Sequence, residues 1–236
     1  MSHEVITEHL VLQKHPSQEF RLFDSGVMRM VCREIINGEC YQLLPEDVIP
    51  AESVKTIFDV GANVGAACIF FLDCYQSAKV YAYEPCLEAY GLLVENTARL
   101  QVEPYNVALG AEDGFVRLYH GIEGDVCNNL KNHKCHGHEL VVMEQARRHI
   151  KEPIDILKLD TEGCELQILS DIEAWLKDIR VIYVEYHSED ARHRIDRVLK
   201  ATHTLWSSSA VRPHRGQLCY LRTCDIPLSY ADWAIE

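Results

Sequence analysis

A chain of 236 residues, 47% apolar and 25% charged, has the length of one α/β domain with a small extension. Its formal charge of −13, with no basic cluster to offset it, argues against a nucleic-acid backbone or an anionic membrane as partner. The longest uncharged apolar run, Val60 to Leu72, is too short to span a bilayer, and the N-terminus lacks the basic start and apolar core of a signal peptide, so a cytoplasmic protein is expected.

Residues 1 to 18 are polar and read as loosely held. Two short alternating runs around Asp24-Ser25-Gly26, within Glu19 to Cys32, predict a hairpin, and Arg33 to Gly38 predicts a helical turn stopped by its glycine. Residues 1–50 therefore read as a lid or edge on a main domain of 51–236, too small for a core of their own. The main domain begins with a strand, Thr56 to Val60, and a helix from Val64 to Tyr75. A strand over Val80 to Glu84 follows, with Pro85 at the start of a helix that continues from Leu87 to Leu100. Val102 to Val107 is the next strand, closed by Ala108-Leu109-Gly110. Phe115 to Tyr119 alternates like a strand, Gly121 to His138 is a polar loop, and Glu139 to Ile150 fits strand or helix.

Ile154 to Asp160 reads as a buried strand. After Thr161-Glu162-Gly163 comes a helix with Leu166, Leu169, Ile172 and Leu176 on one stripe. Val181 to Tyr186 is a further buried strand, and Ser188 caps the helix after it, which has Glu189 and Asp190 in its first turn and Arg197 and Lys200 in its last. His203 to Ser209 and Gln217 to Thr223 read as a closing antiparallel hairpin. Strands and helices alternating in this way imply a doubly wound, mainly parallel sheet.

The ten cysteines form no C-x-x-C pair and are expected as buried thiols in a reducing compartment. Cys127, His133, Cys135, His136 and His138 lie close together, but their spacing matches no standard zinc finger, so the stretch reads as a polar loop.

Thr56 to Pro85 carries the strongest chemical signal. Strand, glycine-bounded turn, helix and second strand ending in an acid make half of a nucleoside-binding unit. Gly61 and Gly65 admit backbone angles that side chains forbid, and the free N–H groups at the helix start near Val64 favour a negatively charged ligand group. Glu84 stands where a carboxylate can accept both hydroxyls of a ribose. A dinucleotide fingerprint would need glycine where Asn63 stands, so S-adenosylmethionine, which has no pyrophosphate, is the expected cofactor.

The stretches Asp59-Val-Gly-Ala-Asn-Val-Gly65, Tyr83-Glu-Pro85, Asn106-Val-Ala-Leu-Gly110 and Lys158-Leu-Asp-Thr-Glu-Gly-Cys-Glu165, followed by Glu185-Tyr-His187, together resemble the FkbM family of methyltransferases. The resemblance runs from about Glu39 to Tyr220. It implies a class I, Rossmann-like fold with a seven-stranded sheet whose last strand is antiparallel, and O-methylation of a small-molecule hydroxyl, most often on a sugar or polyketide. Carried over by position, Asp59, Gly61, Asn63 and Gly65 would hold the methionine end of the cofactor. Glu84 would bind the ribose beside Pro85, Asn106 and Val107 would lie near the adenine, and Asp160 and Glu162 would face the sulfonium and the acceptor.

A hydroxyl acceptor must lose its proton, which calls for a base or a metal. His187 has the best intrinsic pKa for a base, Asp160 is the alternative, and Glu162 and Glu185 are weaker candidates. The same residues offer hard metal ligands, but acids at strand ends also orient substrates, and no metal is assigned. The expected acceptor is a saccharide or related natural product. A peptide or protein methyltransferase and a non-catalytic S-adenosylmethionine-binding module remain as alternatives, with a nicotinamide enzyme as the outlier.

Overall fold

The computed structural model describes residues 4–12, 18–120, 137–151, 153–212 and 214–231. β1 (Val5–Leu10) pairs antiparallel with β2 (Gln18–Phe23), and α1 (Gly26–Ile36) follows. Next come β3 (Thr56–Val60), α2 (Ala66–Cys74), β4 (Lys79–Tyr83), α3 (Leu87–Thr97) and β5 (Val102–Tyr105). A separate small sheet is built from β6 (Ala108–Gly110), β7 (Gly114–His120) and β8 (Gly137–Gln145). The chain continues through α4 (Ala146–His149), β9 (Ile154–Leu159), α5 (Glu165–Asp171), β10 (Ile179–Tyr186) and α6 (Glu189–Leu199). β11 (His203–Arg212), β12 (Arg215–Arg222) and α7 (Leu228–Ala231) complete it.

The main sheet has seven strands in the order β11-β12-β10-β9-β3-β4-β5. All pairs from β10 to β5 are parallel, and β12, the last strand in sequence, lies antiparallel to both its neighbours. The chain enters at β3, winds outward to β5, then returns to β9 and winds the other way. The crevice between the carboxyl ends of β3 and β9 is thus the switch point where such sheets take ligands. The class I expectation holds, including the antiparallel last strand.

Several expectations change in the N-terminal section. The run around Asp24-Ser25-Gly26 is the start of a helix and not the turn of a hairpin. The Ser25 hydroxyl accepts the Met28 N–H, and Met28 and Cys32, four residues apart, turn inward. Two short alternating runs were too little to separate a strand from one helical face. Gly38, at φ +76°, does end this stretch. β1 was not foreseen, because its pattern takes meaning only from its pairing with β2. Phe20, Leu22, Met28 and Cys32 pack with Ile69, Ala89 and Leu92, while Phe71 meets Tyr41 and Tyr183 on another side of α2. α2 is therefore covered all round, which explains a sequence with no polar face.

Glu139 to Ile150 resolves into strand β8 followed by α4, so both readings were partly right. Ala108–Gly110 runs parallel to β8 and does not close β5. Cys127, His133, Cys135 and His136 lie outside the described residues. None of the eight described cysteines is in a disulfide, and among the described residues no helix is long and apolar enough to cross a membrane.

Gly61 fastens β3 to β9. Its φ is +83°, and a Cβ there would lie 1.8 Å from the Asp160 carbonyl oxygen. Gly61→Ala should therefore lower stability by more than about 2 kcal/mol, read from the urea midpoint.

Candidate active site

The turn after β3 rests on a buried ion pair. Asp59 is wholly buried, with Lys158 Nζ 2.9 Å from its Oδ1 and the Cys68 thiol donating to its Oδ2 at 3.1 Å. Lys158 comes from the neighbouring strand β9 and also donates to the Gly61 carbonyl at 2.7 Å. Burial alone would push this ammonium down, but the charges of Asp59 and Asp160 outweigh it, and Lys158 stays well above the usual lysine value. Asp59 thus lies beneath the turn, held by the Lys158 ammonium and the Cys68 thiol.

Above this pair the backbone turns sharply. Gly61 and Ala62 N–H both donate to the Tyr83 carbonyl, at 2.9 and 3.0 Å. Asn63 follows in the left-handed region, φ +49°, and Gly65 at φ +93° lets α2 approach Leu93 and Thr97 of α3. Asn63 Oδ1 is buried with no hydrogen-bond partner. An orphaned acceptor in a turn is costly unless a ligand supplies the donor.

Glu84 lies just past β4 and binds both halves of the site together. Its Oε2 accepts the Asn63 N–H at 2.9 Å and its Oε1 accepts the Cys86 N–H at 2.8 Å. Each oxygen keeps a lone pair for a further donor. Burial pushes its carboxyl up to about 7, against the pull of the two N–H groups and Lys158. Asn106 donates to the carbonyls of Glu84 and Pro85 at 2.9 and 3.0 Å, so it fixes the wall beside the acid, with Val107 buried next to it.

The rim at the ends of β9 and β10 holds the remaining candidates. Ligand atoms of Asp160, Glu185 and His187 all lie within 4.8 Å of one another. The carboxyls of Asp160 and Glu185 lie side by side, so each disfavours the charge of the other. Burial and then the Asp160 charge drive Glu185 well above the carboxylate range. Burial also pushes on Asp160, but the Lys158 charge and the Glu185 hydrogen bond outweigh it and hold Asp160 below its usual value. Glu162 is raised by burial and by Asp160. Arg215 at the start of β12 bridges the acids, donating to Glu185 at 2.6 Å and to Glu162 at 2.8 Å. His187 Nε2 stands 3.2 Å from Glu162 Oε2, out of line for a hydrogen bond, and both its ring nitrogens are sealed from solvent.

The structure thus gathers Asp160, Glu162, Glu185 and His187 on one rim, and Gly61, Asn63, Gly65, Glu84, Pro85, Asn106 and Val107 around the turn beside it. Lys158, Cys68, Glu165 and Arg215 were not anticipated as site residues. Glu165 Oε1 accepts the N–H groups of Thr161 and Gly163 at 2.9 and 3.1 Å and so shapes the loop that carries Glu162. A lysine flanked by leucines at the buried end of β9 was the available signal for Lys158; Arg215 gave none, because its partners are distant in sequence.

Residues 59–203, more than half of the chain, match the model of the methyltransferase FkbM domain. The chain belongs to the FkbM methyltransferase family. It is 28% identical over 150 residues to the hexuronic acid methyltransferase AglP of Haloferax volcanii, covering 58% of each chain. It is 23% identical over 245 aligned positions to methyltransferase sdnD of Sordaria araneosa, covering 87% of this chain and 85% of that protein. The crystal structure of methyltransferase FkbM from Methylobacillus flagellatus superposes with a TM-score of 0.56 at 14% identity, over 78% of this chain and 47% of that one. The putative methyltransferase yhhF of Escherichia coli gives 0.53 at 13% identity, over 92% and 98%. The chain thus spans 58% of AglP and about half of the Methylobacillus protein.

S-adenosylmethionine is the cofactor of this methyltransferase domain, and the residues present fit it. The orphaned Asn63 Oδ1 would take an ammonium, the lone pairs left on Glu84 would take ribose hydroxyls, and the acidic rim would suit a sulfonium.

Two outcomes test this site. Lys158→Met leaves Asp59 buried and unpaired, so stability should fall by about 3–5 kcal/mol, and Asp59→Asn on top of it should restore part of that, read by urea unfolding. Ribose hydroxyls bind the ionised form of Glu84, so S-adenosylhomocysteine affinity in calorimetry should rise roughly tenfold from pH 6 to pH 8. Glu84→Gln should bind more weakly and lose that pH dependence.

Proposed function

We propose that the chain is an O-methyltransferase acting on a hydroxyl of a small molecule, a saccharide or a related natural product. The observation that carries this reading is the rim of Asp160, Glu162, Glu185 and His187 at the switch point, adjoining the turn that fits the cofactor. Groups able to draw off a hydroxyl proton there have no packing role that would explain four ionisable side chains together. The name of AglP, a hexuronic acid methyltransferase, supports a sugar-type acceptor. Free thiols, five of them buried, support a reducing, cytoplasmic setting.

S-adenosylmethionine supplies, when bound, a methyl carbon made electrophilic by its sulfonium. The chain's own task is alignment and proton removal. The turn of Gly61 to Gly65 and the Glu84 carboxylate fix the donor's position, and most of the rate gain comes from holding the acceptor oxygen in line. The acceptor hydroxyl loses its proton at the Asp160–Glu185–His187 cluster. Arg215 keeps Glu185 and Glu162 from drifting toward the donor, and Glu165 holds the loop that presents Glu162.

His187→Ala should lower kcat on an accepted sugar by about a hundredfold or more while leaving S-adenosylhomocysteine affinity within a factor of two. Full activity in this variant would remove the rim from the reaction. Turnover of a basic peptide but of no sugar would favour a protein acceptor, and cofactor binding without any turnover would favour a binding module.

A further inference from the structure

We propose that Asp160, Glu185 and His187 form a binding site for a divalent metal ion, of the Mn2+ or Mg2+ class, that holds and activates the acceptor. Two carboxylates and an imidazole come from the ends of two adjacent parallel strands, with ligand atoms within 4.8 Å of one another. Ligands at metal distances of about 2.0–2.6 Å lie no more than roughly 5 Å apart, so the set closes on one ion with little movement. Two oxygens and one nitrogen on one side of an ion, with the other side open, suit a hard or borderline cation that keeps exchangeable positions.

A second observation points the same way. Both ring nitrogens of His187 are shut off from solvent and make no hydrogen bond. Ring nitrogens buried without a hydrogen bond are an unusual cost unless something else binds them, and the carboxylates beside Nε2 are those of Glu162 and Glu165. Glu162, 3.2 Å from Nε2, is placed to take the N–H of the nitrogen that the ion does not use, as metal-bound histidines commonly require. Charge agrees as well. Asp160, Glu162, Glu165 and Glu185 crowd this rim, Arg215 is the guanidinium among them, and Lys158 is engaged by Asp59.

The use of the ion in methyl transfer rests on the reading above and narrows it. An acceptor with two neighbouring oxygens, a vicinal diol or a hydroxyl beside a carboxylate, can chelate the open side of the ion. An acidic rim would otherwise repel an acceptor carboxylate; the metal turns that repulsion into recognition. Coordination lowers the pKa of the hydroxyl, so its proton passes to solvent water, the oxygen forms a bond to the methyl carbon, and the carbon–sulfur bond breaks to leave S-adenosylhomocysteine. His187 then acts as a ligand to the ion.

The test is Mn2+ titration of the metal-stripped protein, followed by electron paramagnetic resonance, for wild type, His187→Ala and Glu185→Gln. S-adenosylhomocysteine binding in each variant serves as the control for folding. One Mn2+ per chain, bound at least tenfold more weakly in both variants with S-adenosylhomocysteine binding retained, supports the site. No binding, or equal binding in all three proteins, overturns it. Methylation that survives chelation while the Mn2+ site is intact overturns the ion's part in the reaction. Failure of every hydroxylated acceptor, with Mn2+ bound as expected, would sink the methyl-transfer reading alone and leave the metal site standing.

Discussion

The ion pair between Asp59 and Lys158 governs this site. It joins the two strands on either side of the switch point, and the same ammonium reaches over to the Gly61 carbonyl, 97 residues away in the chain. One lysine therefore sets the spacing of β3 and β9, the position of the glycine turn and the ionised state of Asp160 nearby. Burying two charges is costly, and an apolar pair of similar volume would often be as stable. The arrangement makes sense as a means of placing a turn, since an apolar pair could not grip a backbone carbonyl.

Around that pair the cofactor half and the acceptor half are built in different ways. The cofactor half is backbone-rich: Glu84 clasps the N–H groups of Asn63 and Cys86, and Asn106 clasps the carbonyls of Glu84 and Pro85. Such contacts tolerate little change, because each depends on the path of the chain. The acceptor half is made of side chains from the loop after β9, from the end of β10 and the residue after it, and from β12, held by mutual charge. Substitution there alters chemistry without moving the scaffold.

Most of this was legible in the sequence where signals are local. The strand from Thr56 to Val60 was readable to the residue, because an apolar run ends there in glycine, and Glu84 announced itself by closing the next run. Ser188 was readable as a cap for the same reason. The signal failed where meaning depends on a distant partner. β1 becomes a strand through pairing with β2, and the stretch at Asp24 looked like a hairpin because two short runs cannot tell a strand from a helix face. Lys158 and Cys68 were not foreseen as partners of Asp59, since the lysine comes from a strand far along the chain. Arg215 carried no local mark, since its value comes from Glu162 and Glu185 being folded against it.

Arg215 sits on β12, and β11 reaches the main sheet only through β12. On a ribosome, the acids of the rim are made well before the guanidinium that bridges them. The hairpin of β11 and β12 must pack against β10 before Glu162 and Glu185 gain that counter-charge. The acceptor rim therefore depends on a later-made hairpin for its counter-charge, whereas the residues of the glycine turn and Glu84 are all made before it.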